Sequence, residues 1–233
     1  MTGSWVLLAI FLIASIPVIA VFVWFRLAKY QLSLERFLFA LLAGAAAFFP
    51  ALLLQAFFTF SSFPEGRLAL FLQVFVRVAF TEELSRLLLL MIFFWLTSRY
   101  NTDEEGGSAF DAVKSATAIG LVAGLGFAIL ESSRFAASDM NTGILLLRAF
   151  TAAPLHAACG SRIGAAAVMI RTNPVQAFMR ILTATAIHGI YNFMVAMPGL
   201  PSIAALLIAF SALFTAVLTI HSAHNSGNEN QIN

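Results

Sequence analysis

The chain has 233 residues, of which 61% are hydrophobic and only 10% carry a charge. Soluble domains carry roughly 25% charged residues, so this composition excludes a soluble globular protein. The formal net charge is +2, and the basic residues are scattered at the ends of apolar segments, which excludes a basic patch that binds nucleic acid.

Apolar segments long enough to cross a bilayer follow one another along the chain, since a crossing helix needs about 20 apolar residues. The first segment is too long for the apolar core of a signal peptide and lacks a basic leader, so we predict a retained span. Arg26, Lys29 and Arg36 follow it, and positive residues stay cytoplasmic, which places the N-terminus outside. The predicted spans are about 5–25, 37–60, 68–98, 112–132, 143–170, 175–197 and 201–221.

The sequence therefore predicts an all-α polytopic membrane helix bundle of about seven transmembrane helices, with its N-terminus out and its C-terminus in. Residues 1–221 are expected to form a single transmembrane helix-bundle domain. Residues 222–233 are polar, and we expect them to form a disordered cytoplasmic tail.

The third predicted span carries three charges in the stretch AFTEELSRLLLL. An ionisable side chain inside a bilayer faces the bundle interior and is a functional candidate. Arg86 follows Glu82 by four residues and Glu83 by three, so it can reach both carboxylates on one helix. Arg86 would hold one carboxylate ionised and leave the other able to exchange a proton, as a general acid or base requires. A buried salt-bridge cluster that only fixes the helix register is the alternative.

The fourth predicted span combines close-packing glycines with one acid, in AIGLVAGLGFAILESSR. Gly120 and Gly124 form a GxxxG face, which allows this helix to approach a neighbour closely. Glu131 lies near the outer end of the span and is a second functional candidate. An interfacial ion pair with Arg134, three residues later, is the alternative for this glutamate.

The fifth and sixth predicted spans each carry a histidine. His156 follows Pro154, and Cys159 lies three residues beyond it, so a cysteine nucleophile is a further, less favoured option. His188 and Asn192 are four residues apart and share one helical face, where they could bind a ligand or stabilise an oxyanion. At 1.5 Å per residue, both histidines and the third-span glutamates lie about 18–21 Å deep, so they can meet near mid-membrane.

Four short segments in chain order carry a resemblance to a known family: EELSR, GLGFAILES, LRAFTAAPLHAACG and AIHGIYNF. They lie on four successive predicted spans, and together they resemble the PrsW family of intramembrane proteases, within the wider CAAX-prenyl endopeptidase-like superfamily. Three positions depart from the family pattern. Arg86 stands where lysine is usual, Asn192 where aspartate is common, and Ser132 where asparagine is often found.

The resemblance implies an integral protein of the bacterial plasma membrane that hydrolyses peptide bonds of membrane-anchored protein substrates. By analogy, such a substrate would resemble an anti-sigma factor. Glu82 or Glu83 would activate water together with His156, while His188 and Asn192 would stabilise the oxyanion or bind metal. Glu131 would complete the catalytic set, with Arg86 in a supporting role.

Two cofactor alternatives stay open at this point. In one, Zn²⁺ is held by His156, His188 and Glu131, a ligand set typical of catalytic zinc. In the other, a glutamate works as the base without metal.

Two other functions also fit charged residues at mid-membrane. One is a proton- or ion-coupled transporter, because glutamates and histidines build proton relays. A transporter usually shows inverted repeats and paired broken helices, which we do not find in this sequence. The other is a catalytically inactive pseudo-protease that keeps the fold. It is less favoured than an active protease, because the acids and histidines of the four segments are all present.

Overall fold

The computed structural model describes residues 2–30, 32–58, 66–98, 109–139, 142–196 and 202–229. All regular secondary structure within these ranges is helical, so the all-α prediction is confirmed. A π-helical segment, Gln73–Phe80, joins α3 directly to α4. The α-helices are α1 Thr2–Leu27, α2 Leu34–Phe57, α3 Arg67–Leu72, α4 Thr81–Ser98, α5 Ala109–Asp139, α6 Thr142–Phe150, α7 Ala152–Met169, α8 Pro174–Ala196 and α9 Ser202–Glu229.

Among the described residues, three helical stretches are long and apolar enough to cross a membrane: Leu34–Phe57, Ala112–Ser138 and Ile203–His221. A shorter apolar stretch, Phe11–Leu27, lies in α1. These stretches support an integral membrane protein. The count of seven crossings and the orientation of the termini stay predictions.

Three predicted segments differ in detail from the structure. The third predicted span is built from α3, the π-helical segment and α4, rather than from one regular helix. The fifth is divided at Thr151 into α6 and α7. Pro154 falls in the first turn of α7, where a backbone N–H has no partner within the helix, so the proline fits there without breaking it.

The end of α9 differs from the expected disordered tail. The helix continues to Glu229, so residues 222–229 extend α9 beyond the apolar stretch Ile203–His221. Short polar residues at the end of an apolar helix can remain helical when the preceding turns are already formed, because propagation costs less than nucleation. The division of the chain at 221 stays a prediction.

The centre of the bundle is an antiparallel pair of helices, α5 and α7, that approach through glycines. A Cβ atom added at Gly120 would overlap the backbone of Gly160 and Gly164, and one at Gly124 would overlap the backbone of His156. The close approach predicted for the GxxxG face is therefore confirmed, and it sets α7 directly against α5. His156 lies in the α7 backbone at this contact, so the glycines help to fix its position.

The other helices surround this pair and supply the remaining site residues. Helix α2 packs on α5 and α4, and α4 and α8 both pack on α7. The π-helical segment packs on α8, where a Cβ atom on Gly189 would run into the ring of Phe75. The beginning of α4 and the middle of α8 therefore meet beside α7, and His188 directly precedes this contact.

Candidate active site

Three helices bring the predicted polar residues together in the interior of the bundle. The first turns of α4 supply Glu82, Glu83 and Arg86, while α7 supplies His156 and α8 supplies His188. All five side chains are buried. The structure thus assembles one polar cluster from residues that are up to 106 positions apart in the sequence.

Glu83 is held by charged and polar partners at both oxygens. Arg86 donates from Nη1 to Glu83 Oε2 at 2.8 Å, and His188 Nδ1 lies 2.7 Å from Glu83 Oε1. A carboxylate held by arginine can only accept, so the Nδ1–H of His188 donates to it. A neutral His188 ring then presents the lone pair of Nε2, the arrangement that commonly prepares a histidine to bind metal.

Glu82 differs from Glu83 because one of its oxygens, Oε2, makes no hydrogen bond to the described residues. Its Oε1 accepts a hydrogen bond from Gln55 Nε2 on α2, at 3.1 Å. Its Oε2 lies 3.6 Å from His188 Nε2 and 3.7 Å from Arg86 Nη2. Among the described residues, Glu82 Oε2 and His188 Nε2 are both buried without a hydrogen-bond partner. Such orphaned atoms are costly in a protein interior, and a water or a metal ion would satisfy them.

Gln55 is itself held in place from the π-helical segment. Arg77 Nε donates to the backbone carbonyl oxygen of Gln55 at 3.0 Å. A chain of contacts therefore runs from Arg77 through Gln55 to Glu82. These contacts fix Glu82 Oε1 against α2 and leave Oε2 directed at His188.

His156 is engaged at both ring nitrogens. Arg86 Nη2 lies 3.0 Å from Nδ1, and since arginine only donates, Nδ1 must accept. The proton of a neutral ring then sits on Nε2, which donates to Glu131 Oε2 at 2.7 Å. Glu131 also accepts from Arg148 Nη2 on α6, and this ion pair balances its charge.

An aromatic ring closes one side of the cluster. The guanidinium carbon of Arg86 lies 4.5 Å from the centroid of the Phe127 ring, and the His156 ring lies 5.3 Å from it. The rings of His156 and His188 meet edge to face at 5.0 Å between centroids. Phe127 thus covers Arg86 with an apolar face that still attracts its positive charge.

Three side chains of the cluster could hold a metal ion. Glu82, His156 and His188 each offer one ligand atom, and these atoms lie within 4.8 Å of one another. One carboxylate and two imidazoles are a donor set that suits zinc. Glu82 Oε2 and His188 Nε2 are free to bind, whereas His156 must first exchange its contact with Glu131 or Arg86. The residues present therefore fit a metal, and this grouping contains Glu82 where the sequence predicted Glu131.

Other candidates from the sequence lie in different surroundings. The alternative given for Glu131, an ion pair with Arg134, is wrong, because Arg134 is exposed and Arg148 pairs with Glu131. Asn192 is half-buried on α8, and among the described residues no hydrogen bond links it to the cluster. Cys159 is buried with its Sγ 3.5 Å from the carbonyl oxygen of Ala184, and no hydrogen bond among the described residues joins it to His156 or His188.

Sequence reasoning missed one residue of the site, Gln55, and one pairing, that of Arg148 with Glu131. Gln55 carries a recognisable signal, because it is a single amide within the apolar run PALLLQAFF. Arg148 also lies in an apolar run, but its pairing with Glu131 depends on how α6 folds back against α5. Neither contact follows from spacing along one helix.

A family model described as PrsW family intramembrane metalloprotease matches residues 33–220, which is about four-fifths of the chain. The match spans all four segments on which the resemblance rests, and it confirms that resemblance. Searches of curated proteins and of solved structures found no match.

Proposed function

Since the chain belongs to the PrsW family of intramembrane metalloproteases, we propose that the buried cluster of Glu82, Glu83, His156 and His188 is the catalytic centre of an endopeptidase. Its substrates would be proteins anchored in the same membrane. The observation that carries this proposal is the pair of free atoms, Glu82 Oε2 and His188 Nε2, 3.6 Å apart.

The unequal bonding of the two glutamates supports different roles for them. Both Glu83 oxygens are engaged, by Arg86 and by His188, so Glu83 orients the histidine and balances the arginine. Glu82 retains one free oxygen, so it is the residue that contacts the attacking water. In a mechanism without metal, Glu82 takes the proton of that water and returns it to the leaving amine.

The metal that the family name implies would be held by Glu82, His156 and His188. When bound, a divalent ion supplies Lewis-acid polarisation of the scissile carbonyl and makes a water more acidic. The alternative ligand set, His156, His188 and Glu131, is less favoured because Glu131 is already paired with Arg148. Paired with Arg148, Glu131 instead orients His156 by accepting a hydrogen bond from the Nε2–H of that histidine.

The positions of the surrounding residues support a substrate that arrives from the bilayer. Leu84 and Leu88 on α4 and Ile190 on α8 are exposed on the same helices that carry the cluster. Exposed apolar side chains on membrane helices face lipid or another membrane segment. A single-span protein of the bacterial plasma membrane, anti-sigma-factor-like by analogy, is the substrate class we propose.

The test compares new peptide N-termini in membranes that contain either the wild type or Glu82→Gln at equal amounts. Glu35→Gln is the matched control, because Glu35 is an exposed glutamate in the first turn of α2. We expect termini that appear with wild type and Glu35→Gln and disappear with Glu82→Gln. Identical termini in all three membranes would contradict proteolysis at this site. The buried cluster would then be better explained by a transporter or a pseudo-protease.

A further inference from the structure

A second polar feature lies at the start of α2, whereas the catalytic cluster contacts Gln55 near the end of the same helix. A cleft of about 440 Å³ forms where α1 ends and α2 begins. Two buried apolar side chains, Phe25 and Leu32, form its floor, and two exposed cations, Arg26 and Lys29, form its rim. The residues that line it are Phe25, Arg26, Lys29, Tyr30, Leu32 and Ser33.

The two cations of this basic cleft have no counterion among the described residues. No described carboxylate forms an ion pair with Arg26 or Lys29. The guanidinium of Arg26 lies 5.1 Å from the ring centroid of Phe22, and stacking of this kind leaves its in-plane N–H groups able to donate. The nearest acid along the chain, Glu35, is exposed in the first turn of α2 and pairs with neither cation.

The backbone at Lys29 adds a second observation. Lys29 has a φ of 52°, in the left-handed region. The N–H of Tyr30 bonds to the Phe25 carbonyl at 2.9 Å, and that of Lys29 bonds to the Arg26 carbonyl at 3.2 Å. This pair of bonds is a Schellman motif, whose left-handed position favours glycine because a Cβ crowds the backbone. The backbone therefore does not account for a lysine here, whereas a role for its ammonium group does.

Further donors face the same connection. Ser33 caps α2 by accepting from the Arg36 N–H at 3.2 Å, so its own hydroxyl proton stays available to donate. The N-terminus of α2 adds partial positive charge. Tyr30 donates to the carbonyl oxygen of Lys114 at 3.2 Å and thereby ties the cleft to α5. The cleft therefore gathers, in Arg26, Lys29 and Ser33, hydrogen-bond donors of the kind that an oxyanion accepts.

We propose that this basic cleft binds the phosphate group of an anionic phospholipid, through Arg26 and Lys29. The cleft lies at the ends of the apolar stretches Phe11–Leu27 and Leu34–Phe57, the level at which lipid headgroups meet a membrane protein. A zwitterionic lipid carries its own cation and gains less from two uncompensated positive charges. Inorganic phosphate shares the oxyanion chemistry but makes no use of the apolar floor.

The test titrates purified, delipidated full-length protein in a neutral detergent and follows binding by native mass spectrometry. The probes are dioctanoyl phosphatidylglycerol, dioctanoyl phosphatidylcholine and inorganic phosphate. We expect phosphatidylglycerol to bind more tightly than the other two. Lys29→Gly should weaken its binding about fivefold, the factor for one basic residue near anionic lipid.

Lys29→Gly also separates binding from folding, because glycine suits the left-handed position. Its unfolding temperature should equal or exceed that of the wild type. Arg171→Gln, an exposed charge in the turn before α8, and Arg134→Gln near the end of α5 are the charge controls, and both should bind within twofold of wild type.

Three results would overturn the proposal. Equal affinity for phosphatidylcholine would remove the role of net negative charge. Equal affinity for inorganic phosphate would assign the cleft to free phosphate rather than to a lipid. An effect of Arg171→Gln as large as that of Lys29→Gly would show general surface attraction in place of a site.

Discussion

Substitution with glutamine should affect stability differently at the two adjacent glutamates of α4. Glu83→Gln should destabilise the fold strongly, whereas Glu82→Gln should destabilise it only slightly. Glu83 accepts hydrogen bonds from Arg86 at 2.8 Å and His188 at 2.7 Å in a fully buried position. Replacing it with glutamine leaves Arg86 with only its longer ion pair to Glu82, at 3.7 Å, and breaking a buried pair in this way costs about 3–5 kcal/mol. Glu82 has one hydrogen bond, from the neutral amide of Gln55, which a glutamine carbonyl can still accept, and its ion pair with Arg86 is longer, at 3.7 Å. Glu82→Gln should therefore cost about 1 kcal/mol or less.

Catalysis should show a different pattern from stability. Glu82 carries the carboxylate oxygen that has no hydrogen bond, and we propose that this oxygen contacts the attacking water. Glu82→Gln should therefore reduce cleavage by about 10²–10⁴-fold, the usual contribution of a general acid–base group. The unfolding free energy would be measured on chelator-treated protein in detergent by SDS titration followed by circular dichroism. Glu35→Gln serves as the control, since that exposed glutamate contacts no site residue.

The comparison has a clear contrary outcome. If Glu82→Gln destabilised the protein as much as Glu83→Gln, Glu82 would be a structural ion-pair residue. The assignment of its free oxygen to the attacking water would then be wrong. Normal cleavage by Glu82→Gln would refute the same assignment directly.

Three further outcomes follow from the contacts of the site. Gln55→Ala should weaken zinc binding about 10–100-fold in a chelator competition, as loss of a residue that orients a metal ligand does, whereas the exposed Gln73→Ala should not. Arg148→Met should lower the cleavage rate at least about tenfold, since it removes the partner of a site carboxylate, while Arg134→Met should leave the rate within about twofold. Gly160→Ala should destabilise the bundle by about 1–3 kcal/mol or more in thermal unfolding, because the new Cβ would overlap the α5 backbone. An unchanged unfolding temperature for the last variant would show that α5 and α7 can separate without cost.

Much of the helical framework could be predicted because the apolar runs are long and interrupted by turn residues. The GxxxG face on α5 could be predicted for the same reason, since small residues four apart share one side of a helix. The π-helical segment could not, because its hydrogen bonds reach one residue further than in an α-helix without a sequence pattern that shows it. The helix beyond residue 221 was missed because polar composition was taken to mean disorder.

The residues of the buried polar cluster could be predicted because few ionisable side chains occur in the apolar spans, and each is too costly to face lipid. Their partners could not all be predicted. Spacing along one helix placed Arg86 with both glutamates correctly, whereas the alternative it offered for Glu131, a pair with Arg134, is wrong. Contacts between helices, such as Gln55 with Glu82, depend on packing that the sequence does not encode in a short pattern.

The most direct test of the catalytic assignment is a cleavage rate in a purified system. Wild type and Glu82→Gln would be reconstituted into vesicles with the single-span substrate that the mapping of new N-termini identifies. The structure predicts cleavage by the wild type, and cleavage slower by at least about 100-fold with Glu82→Gln, although the variant remains folded. Equal rates from the two proteins would contradict a catalytic centre at Glu82 and His188.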